Sequence, residues 1–74
     1  MTTATTTRTI ALTVNGLPVT TAVATMADLL SSLGHDAASV ATACNGDFVP
    51  RGRRALIKLA AGDRIEIVSP RQGG

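Results

Sequence analysis

Aromatic side chains are nearly absent from this sequence: there is one Phe, Phe48, and neither Trp nor Tyr among 74 residues. A core must therefore be built from Val, Ile, Leu, Ala and the two methionines, and there is almost no platform on which nucleic-acid bases could stack. The single cysteine, Cys44, cannot close an internal disulfide, and no His or Cys cluster has metal-ligand spacing. Neither a staple nor a zinc explains the small size, and a lone thiol suits a cytoplasmic protein. No apolar run approaches the roughly 18 residues of a membrane span, and residues 1–7, with five threonines, lack the apolar stretch of a secretory signal. They read as a disordered N-terminal arm. Length is short too: a domain this small buries only about 60% of its unfolded surface, so little remains for an enclosed catalytic cavity. Function is expected on a surface or at a terminus.

What is present is a 45% hydrophobic chain with clear periodicity, too apolar to be disordered throughout. Across residues 8–14, Ile10, Leu12 and Val14 alternate with Thr9, Ala11 and Thr13, the period of a half-buried strand. Asn15-Gly16 follows, the strongest short hairpin signal, and Val19, Thr21 and Val23 supply the returning strand, with Pro18 near its start or edge. Thr25 is placed to cap a helix, with Asp28 facing the exposed N–H groups and Gly34 ending it. Met26, Leu29, Leu30 and Leu33 give that helix one apolar stripe, to be laid across the hairpin. After a polar connection at residues 36–39, residues 40–44 form a short third strand ended by Asn45-Gly46. Phe48-Val49-Pro50 is a further extended piece, and residues 51–60 fit either a helical turn or a bent strand. Residues 64–68 alternate as a last strand with Ile65 and Ile67 inward. This order predicts an α+β domain over residues 8–68, a mixed sheet with one main helix across it, which matches a β-grasp arrangement.

Several single residues invite a functional reading. Cys44 lies within a predicted strand with no base nearby in sequence, so it is expected to be buried filler rather than a nucleophile. His35 follows Gly34 as a solvated loop residue. Arg51, Arg53, Arg54, Lys58 and Arg64 hold five of the seven basic side chains in a chain of net charge +2, the only local charge excess. Acidic residues interrupt them, so a solvated face or a protein docking patch is expected rather than a nucleic-acid site. Phe48 with Val49 is expected in the core, the alternative being an exposed apolar docking surface.

Beyond the last strand run Ser69-Pro70-Arg71-Gln72-Gly73-Gly74, with no apolar residue to anchor them. Six extended residues reach about 20 Å, enough to thread a flexible 69–74 tail into another protein's active site. Glycine, without Cβ, suits a narrow channel. On its own, a terminal Gly-Gly is weak support for such a use, because many chains end in small residues.

Longer stretches add a resemblance. Leu12-Thr13-Val14-Asn15-Gly16 with Met26-Ala27-Asp28-Leu29-Leu30, the stretch Asn45-Gly46-Asp47-Phe48-Val49-Pro50-Arg51, and residues 61–74 together resemble the sulfur carrier proteins of thiamine biosynthesis. The resemblance implies a ubiquitin-like β-grasp fold and a carrier rather than an enzyme. A partner adenylating enzyme, using ATP and magnesium, would turn the Gly74 carboxylate into an acyl adenylate. Sulfur from a donor such as a cysteine desulfurase would then displace AMP, and thiazole synthase would consume the resulting thiocarboxylate. The chain itself would bind no cofactor, and Arg71, Gln72 and Gly73 would thread Gly74 into the partner. That family more often has bulky aliphatic residues where Thr42 and Cys44 stand, so the third strand is expected to pack less fully. Rival readings are a sibling carrier serving molybdopterin synthase, a ubiquitin-like protein modifier, and a small basic interaction module.

Overall fold

A computed structural model of the chain describes residues 9–69. The first alternating stretch forms β1 (Ile10–Val14), paired antiparallel with β2 (Leu17–Thr21). Asn15 and Gly16 between them hold φ of +52° and +82°, the positive pair that a type I′ turn requires. β2 stops before Val23, because the Thr21 hydroxyl accepts the Val23 N–H at 3.2 Å and turns the chain out of the sheet.

Helix α1 (Met26–Ser32) starts where its sequence signal puts it: the Thr25 side chain accepts the Asp28 N–H at 3.2 Å. Gly34, at φ +81°, ends it. Seven residues are too few for a helix to hold alone, so its stability comes from the stripe it buries. Met26, Leu29 and Leu30 are fully enclosed, whereas Leu33, the expected fourth member, is 41% exposed because it caps the helix beyond its last turn on the sheet.

A 3₁₀ turn (Ala37–Ser39), capped by the Asp36 carboxylate, leads into β3 (Ala41–Cys44). A second Asn-Gly turn, with Asn45 at φ +54°, returns the chain as β4 (Asp47–Val49). Residues left open by their mixed pattern become a 3₁₀ helix (Arg51–Leu56), and the chain then closes with β5 (Arg64–Val68). The sheet order is β2-β1-β5-β3-β4, with β5 central, parallel to β1 and antiparallel to β3. This is the expected mixed sheet with one helix across it, a β-grasp. Its inner face sets Leu12, Val14, Val49, Ile65 and Ile67 against Met26, Leu29 and Leu30, a core without any aromatic ring.

One member of the basic group is not on the surface. Arg54 is 3% exposed, projecting from the 3₁₀ helix under the start of β3. Its Nε donates to Thr42 Oγ1 at 3.0 Å, Nη1 to the Ala37 carbonyl at 2.8 Å and Nη2 to the Val40 carbonyl at 2.7 Å. Thr42, 2% exposed, donates its own hydroxyl hydrogen bond to the Val49 carbonyl at 2.9 Å. The third strand is therefore not loosely packed at this position. The Thr42 hydroxyl is an acceptor that lets a guanidinium be buried.

Arg54→Ala leaves the buried Thr42 hydroxyl and two part-buried carbonyls without their donor and opens a void beneath β3. It is expected to lower the unfolding free energy by about 3 kcal/mol, with Arg54→Lys recovering only part because an ammonium cannot address three divergent acceptors. Urea unfolding checks this, and an unchanged midpoint for Arg54→Ala would refute the bracing role.

Candidate functional site

The sheet has a second face that no helix covers. Strand register puts Phe48 of β4, Ala43 of β3 and Glu66 of β5 in one row, with Ala41 and Val68 in the next. Because the two alanines are short, the flanking side chains enclose a shallow depression of about 520 Å³ lined by Phe48, Ala41, Ala43, Val68 and Glu66. Phe48 is 68% exposed and Val68 59%. Phe48 is thus not a core residue. In a strand only one of two neighbours can point inward, and Val49, 4% exposed, takes that place. The apolar patch on this face is the docking-surface alternative.

β5 carries this face to its edge and hands the chain on. Val68 pairs with Ala41 and is the last residue in the ladder; Ser69 is the last residue described. Ser69, Ile67, Val68, Asn15 and His35 line a cleft at this exit. His35, expected as a loop residue, is exposed and stands beside the departing strand. The four residues on which sequence reasoning placed the carrier site, Arg71, Gln72, Gly73 and Gly74, lie outside the described residues, as do residues 1–7 of the proposed arm.

The remaining candidates are resolved by their surroundings. Arg54 is buried and serves the fold, and its burial, followed by the nearby Arg51 charge, pushes its guanidinium below the usual range. Arg51, Arg53, Lys58 and Arg64 remain exposed. Cys44 is half-buried at the inner end of β3. Burial raises its thiol pKa, and the Asp63 and Asp47 carboxylates raise it further, so it is a protonated thiol at neutral pH rather than a nucleophile. No group of three or more His, Cys, Asp or Glu side chains able to hold a metal occurs among the described residues, and no helix among them is long and apolar enough to cross a membrane.

Two side chains carry more than their sequence signal suggested. Asn15 and Asn45 were legible as turn residues, but each also reaches across to β5. Asn15 Nδ2 donates to the Ile67 carbonyl at 3.0 Å and its Oδ1 accepts the Ile67 N–H at 2.9 Å. Asn45 Oδ1 accepts the Arg64 N–H at 2.9 Å. No local pattern announces such bonds, since the partners lie 52 and 19 residues away.

A five-stranded mixed sheet crossed by one helix, its central strand ending beside an open apolar face, defines a ubiquitin-like β-grasp module. Comparison with protein families is in accord: the model of the ThiS family matches residues 6–74, and the chain belongs to that family. It is similar to a solved structure, the thiamine biosynthesis protein ThiS from Geobacter metallireducens, at 32% identity and a TM-score of 0.74. The match covers 88% of this chain and 100% of that one. No curated protein matches the chain. Membership supports a role as a small sulfur carrier in thiamine biosynthesis, acting with enzymes of that pathway.

Two outcomes test the placement of these residues. Phe48→Ala is expected to change stability by no more than about 0.5 kcal/mol, while Val49→Ala costs about 2 kcal/mol; equal losses in urea unfolding would return Phe48 to the core. Cys44 is expected to alkylate more slowly than a cysteine in an unstructured peptide at pH 7, and to catch up only above the ordinary thiol range. A peptide-like rate at pH 7 would show that neither burial nor the two carboxylates hold the proton on the sulfur.

Proposed function

We propose that this chain carries sulfur on its C-terminal carboxylate. The observation that carries the reading is the family match over residues 6–74, which includes Gly73 and Gly74 and the whole β-grasp body. A free carboxylate is a poor acyl donor because its leaving group would be an oxide. An adenylating partner, with ATP and magnesium, transfers AMP to the Gly74 carboxylate and releases pyrophosphate. The outer sulfur of a persulfide, drawn from a donor such as a cysteine desulfurase, attacks the acyl carbon and expels AMP. A thiol then cleaves the S–S bond of the acyl disulfide, forming a disulfide with the donor and leaving the sulfur on Gly74 as a thiocarboxylate. The resulting thiocarboxylate is consumed by thiazole synthase. Cationic and metal stabilisation of the phosphates belongs to the partner, and this chain contributes the carboxylate and its reach.

Residues 69–74 are the threading segment of this proposal, spanning at most about 20 Å. Gly73 passes a narrow channel because it lacks Cβ, and Arg71 and Gln72 contact the channel entrance. A partner that receives Gly74 must rest against the body close to the end of β5. The apolar face formed by Phe48, Ala41, Ala43 and Val68 lies there, so it is the natural docking surface.

Intact-protein mass spectrometry after incubation with the adenylating enzyme, ATP, magnesium and a sulfur source tests the chemistry. The expected result is the mass gain of one oxygen replaced by sulfur, abolished by deleting Gly73 and Gly74. A partner active on another carrier that gives neither this gain nor ATP–pyrophosphate exchange would sink the reading, leaving a basic interaction module as the better account. Conjugates with other proteins on a denaturing gel would favour a modifier. For the docking face, Phe48→Asp is expected to raise KM for the adenylating partner about tenfold with kcat little changed, and an unaltered KM would remove Phe48 from the interface.

A further inference from the structure

Along the β1 side of β5 the backbone bonds advance two residues at a time. Thr13 N–H donates to the Asp63 carbonyl at 3.0 Å, and Asn15 N–H to the Ile65 carbonyl at 2.9 Å. The next rung should come from residue 17, but the chain has already turned at Asn15-Gly16. The Asn15 carboxamide fills the gap. It has the donor and acceptor of a peptide group, and it meets both the carbonyl and the N–H of Ile67, at 3.0 and 2.9 Å. In an antiparallel pair the N–H and C=O of one residue point to the same side. Ile67, opposite Thr42 of β3, therefore turns both groups away from β3 and depends on Asn15 for them. One residue on, Val68 pairs with Ala41, the first residue of β3, and among the described residues Ser69 has no strand partner.

We propose that Asn15 is a positioning residue for the C-terminal carboxylate: its side chain fixes the point, and so the direction, at which the chain leaves the sheet toward Gly74. The proposal rests on the carrier reading above. Without the carboxamide β5 has no partner on its β1 side beyond Ile65 and is held to Val68 by β3 alone, so its end frays more readily and segment 69–74 leaves in a less fixed direction. A less directed segment places the carboxylate before the adenylating site less often, which lowers kcat/KM.

Asn45 is a matched control. It too is an Asn-Gly turn residue in the left-handed region, at φ +54°, and its Oδ1 also accepts an N–H of β5. It holds the other end of the strand, at Arg64. A purely structural role for Asn15 would make the two asparagines equivalent.

The test uses the full chain with Asn15→Gly and Asn45→Gly, because glycine accepts a left-handed φ without strain and removes only the carboxamide. Amide exchange by NMR at Ile67 is expected to accelerate about tenfold in Asn15→Gly, the worth of one lost hydrogen bond, and to stay unchanged in Asn45→Gly. Thiocarboxylate formation per folded molecule is expected to fall about tenfold in kcat/KM for Asn15→Gly and to hold for Asn45→Gly. Asn15→Asp, which keeps the acceptor for the Ile67 N–H but loses the donor, is expected to fall between. Equal slowing of transfer by the two glycine variants would overturn the positioning role, and unaltered Ile67 exchange in Asn15→Gly would overturn the clamp itself. If the wild-type chain forms no thiocarboxylate, the carrier reading falls and the positioning role with it. The exchange data would still report separately on the clamp.

Discussion

The parallel pairing of β1 with β5 is the contact on which the rest of the described structure depends. It joins the first strand to the last, through only two directly paired positions, Thr13 with Arg64 and Val14 with Ile65. Parallel strands cannot be joined by a tight turn, so everything between them has to serve as a crossover. The α1 stripe, packed over the inner face, offsets the loop-closure entropy that such a distant pairing costs. Once β5 is seated between β1 and β3, Ile65 and Ile67 fill the middle of the core, and the β3–β4 hairpin has a strand to pair with. So short a ladder leaves Ile67 without a β1 partner, and at the other end Arg64 lies just past the β3 pairing. The asparagines of both turns supply what the backbone does not, Asn15 at Ile67 and Asn45 at Arg64.

What could be read in the sequence follows from how local each signal is. The β1–β2 hairpin, the capped start of α1 and the alternation of β5 are written within a few residues, and each forms where its pattern lies. Residues 51–60 carry no such period. Their conformation depends on Arg54 reaching Thr42 twelve positions away, and neither residue signals the other. Thr42 alone reads as a weak core filler and Arg54 as one more surface cation; only as a pair do they make sense in the interior. Phe48 shows the opposite case, in which identity misleads and periodicity does not. The only aromatic ring in the chain is an obvious core candidate, yet the inward position of Val49 in the same strand leaves it no place but the open face.

The proposed carrier site was reached by a different route. Residues 71–74 bear no pattern that packing physics interprets, and it was the resemblance of the surrounding stretches that gave them a role. The described residues contribute the other half, a face that adjoins the end of β5 and is apolar without being buried. That face was beyond local reasoning, because Phe48, Ala41, Ala43 and Val68 come from three strands whose order depends on the long-range pairing. Charge followed the same rule: the basic cluster seemed one unit in sequence, and the fold divides it by sending Arg54 inward.

On the proposed carrier reading the chemistry lies at the terminus, and such a protein has different structural needs from one that encloses a substrate. A chain this small has no interior to spare for a reaction, so precision cannot come from walls around a pocket. It has to come from where the body releases the chain and from the surface that meets the partner. The buried and half-buried polar groups are placed accordingly. Arg54 and Thr42 brace the start of β3, whose first residue, Ala41, pairs with Val68 at the end of β5. Asn15 grips Ile67 one residue earlier, from the opposite side. The last two residues of β5 are thus secured from both flanks, directly by the Asn15 side chain of the turn and, through β3, by Arg54 of the 3₁₀ helix. An aliphatic core alone would hold the strand's face but not fix where its backbone ends, because hydrophobic burial has no direction and a hydrogen bond has one.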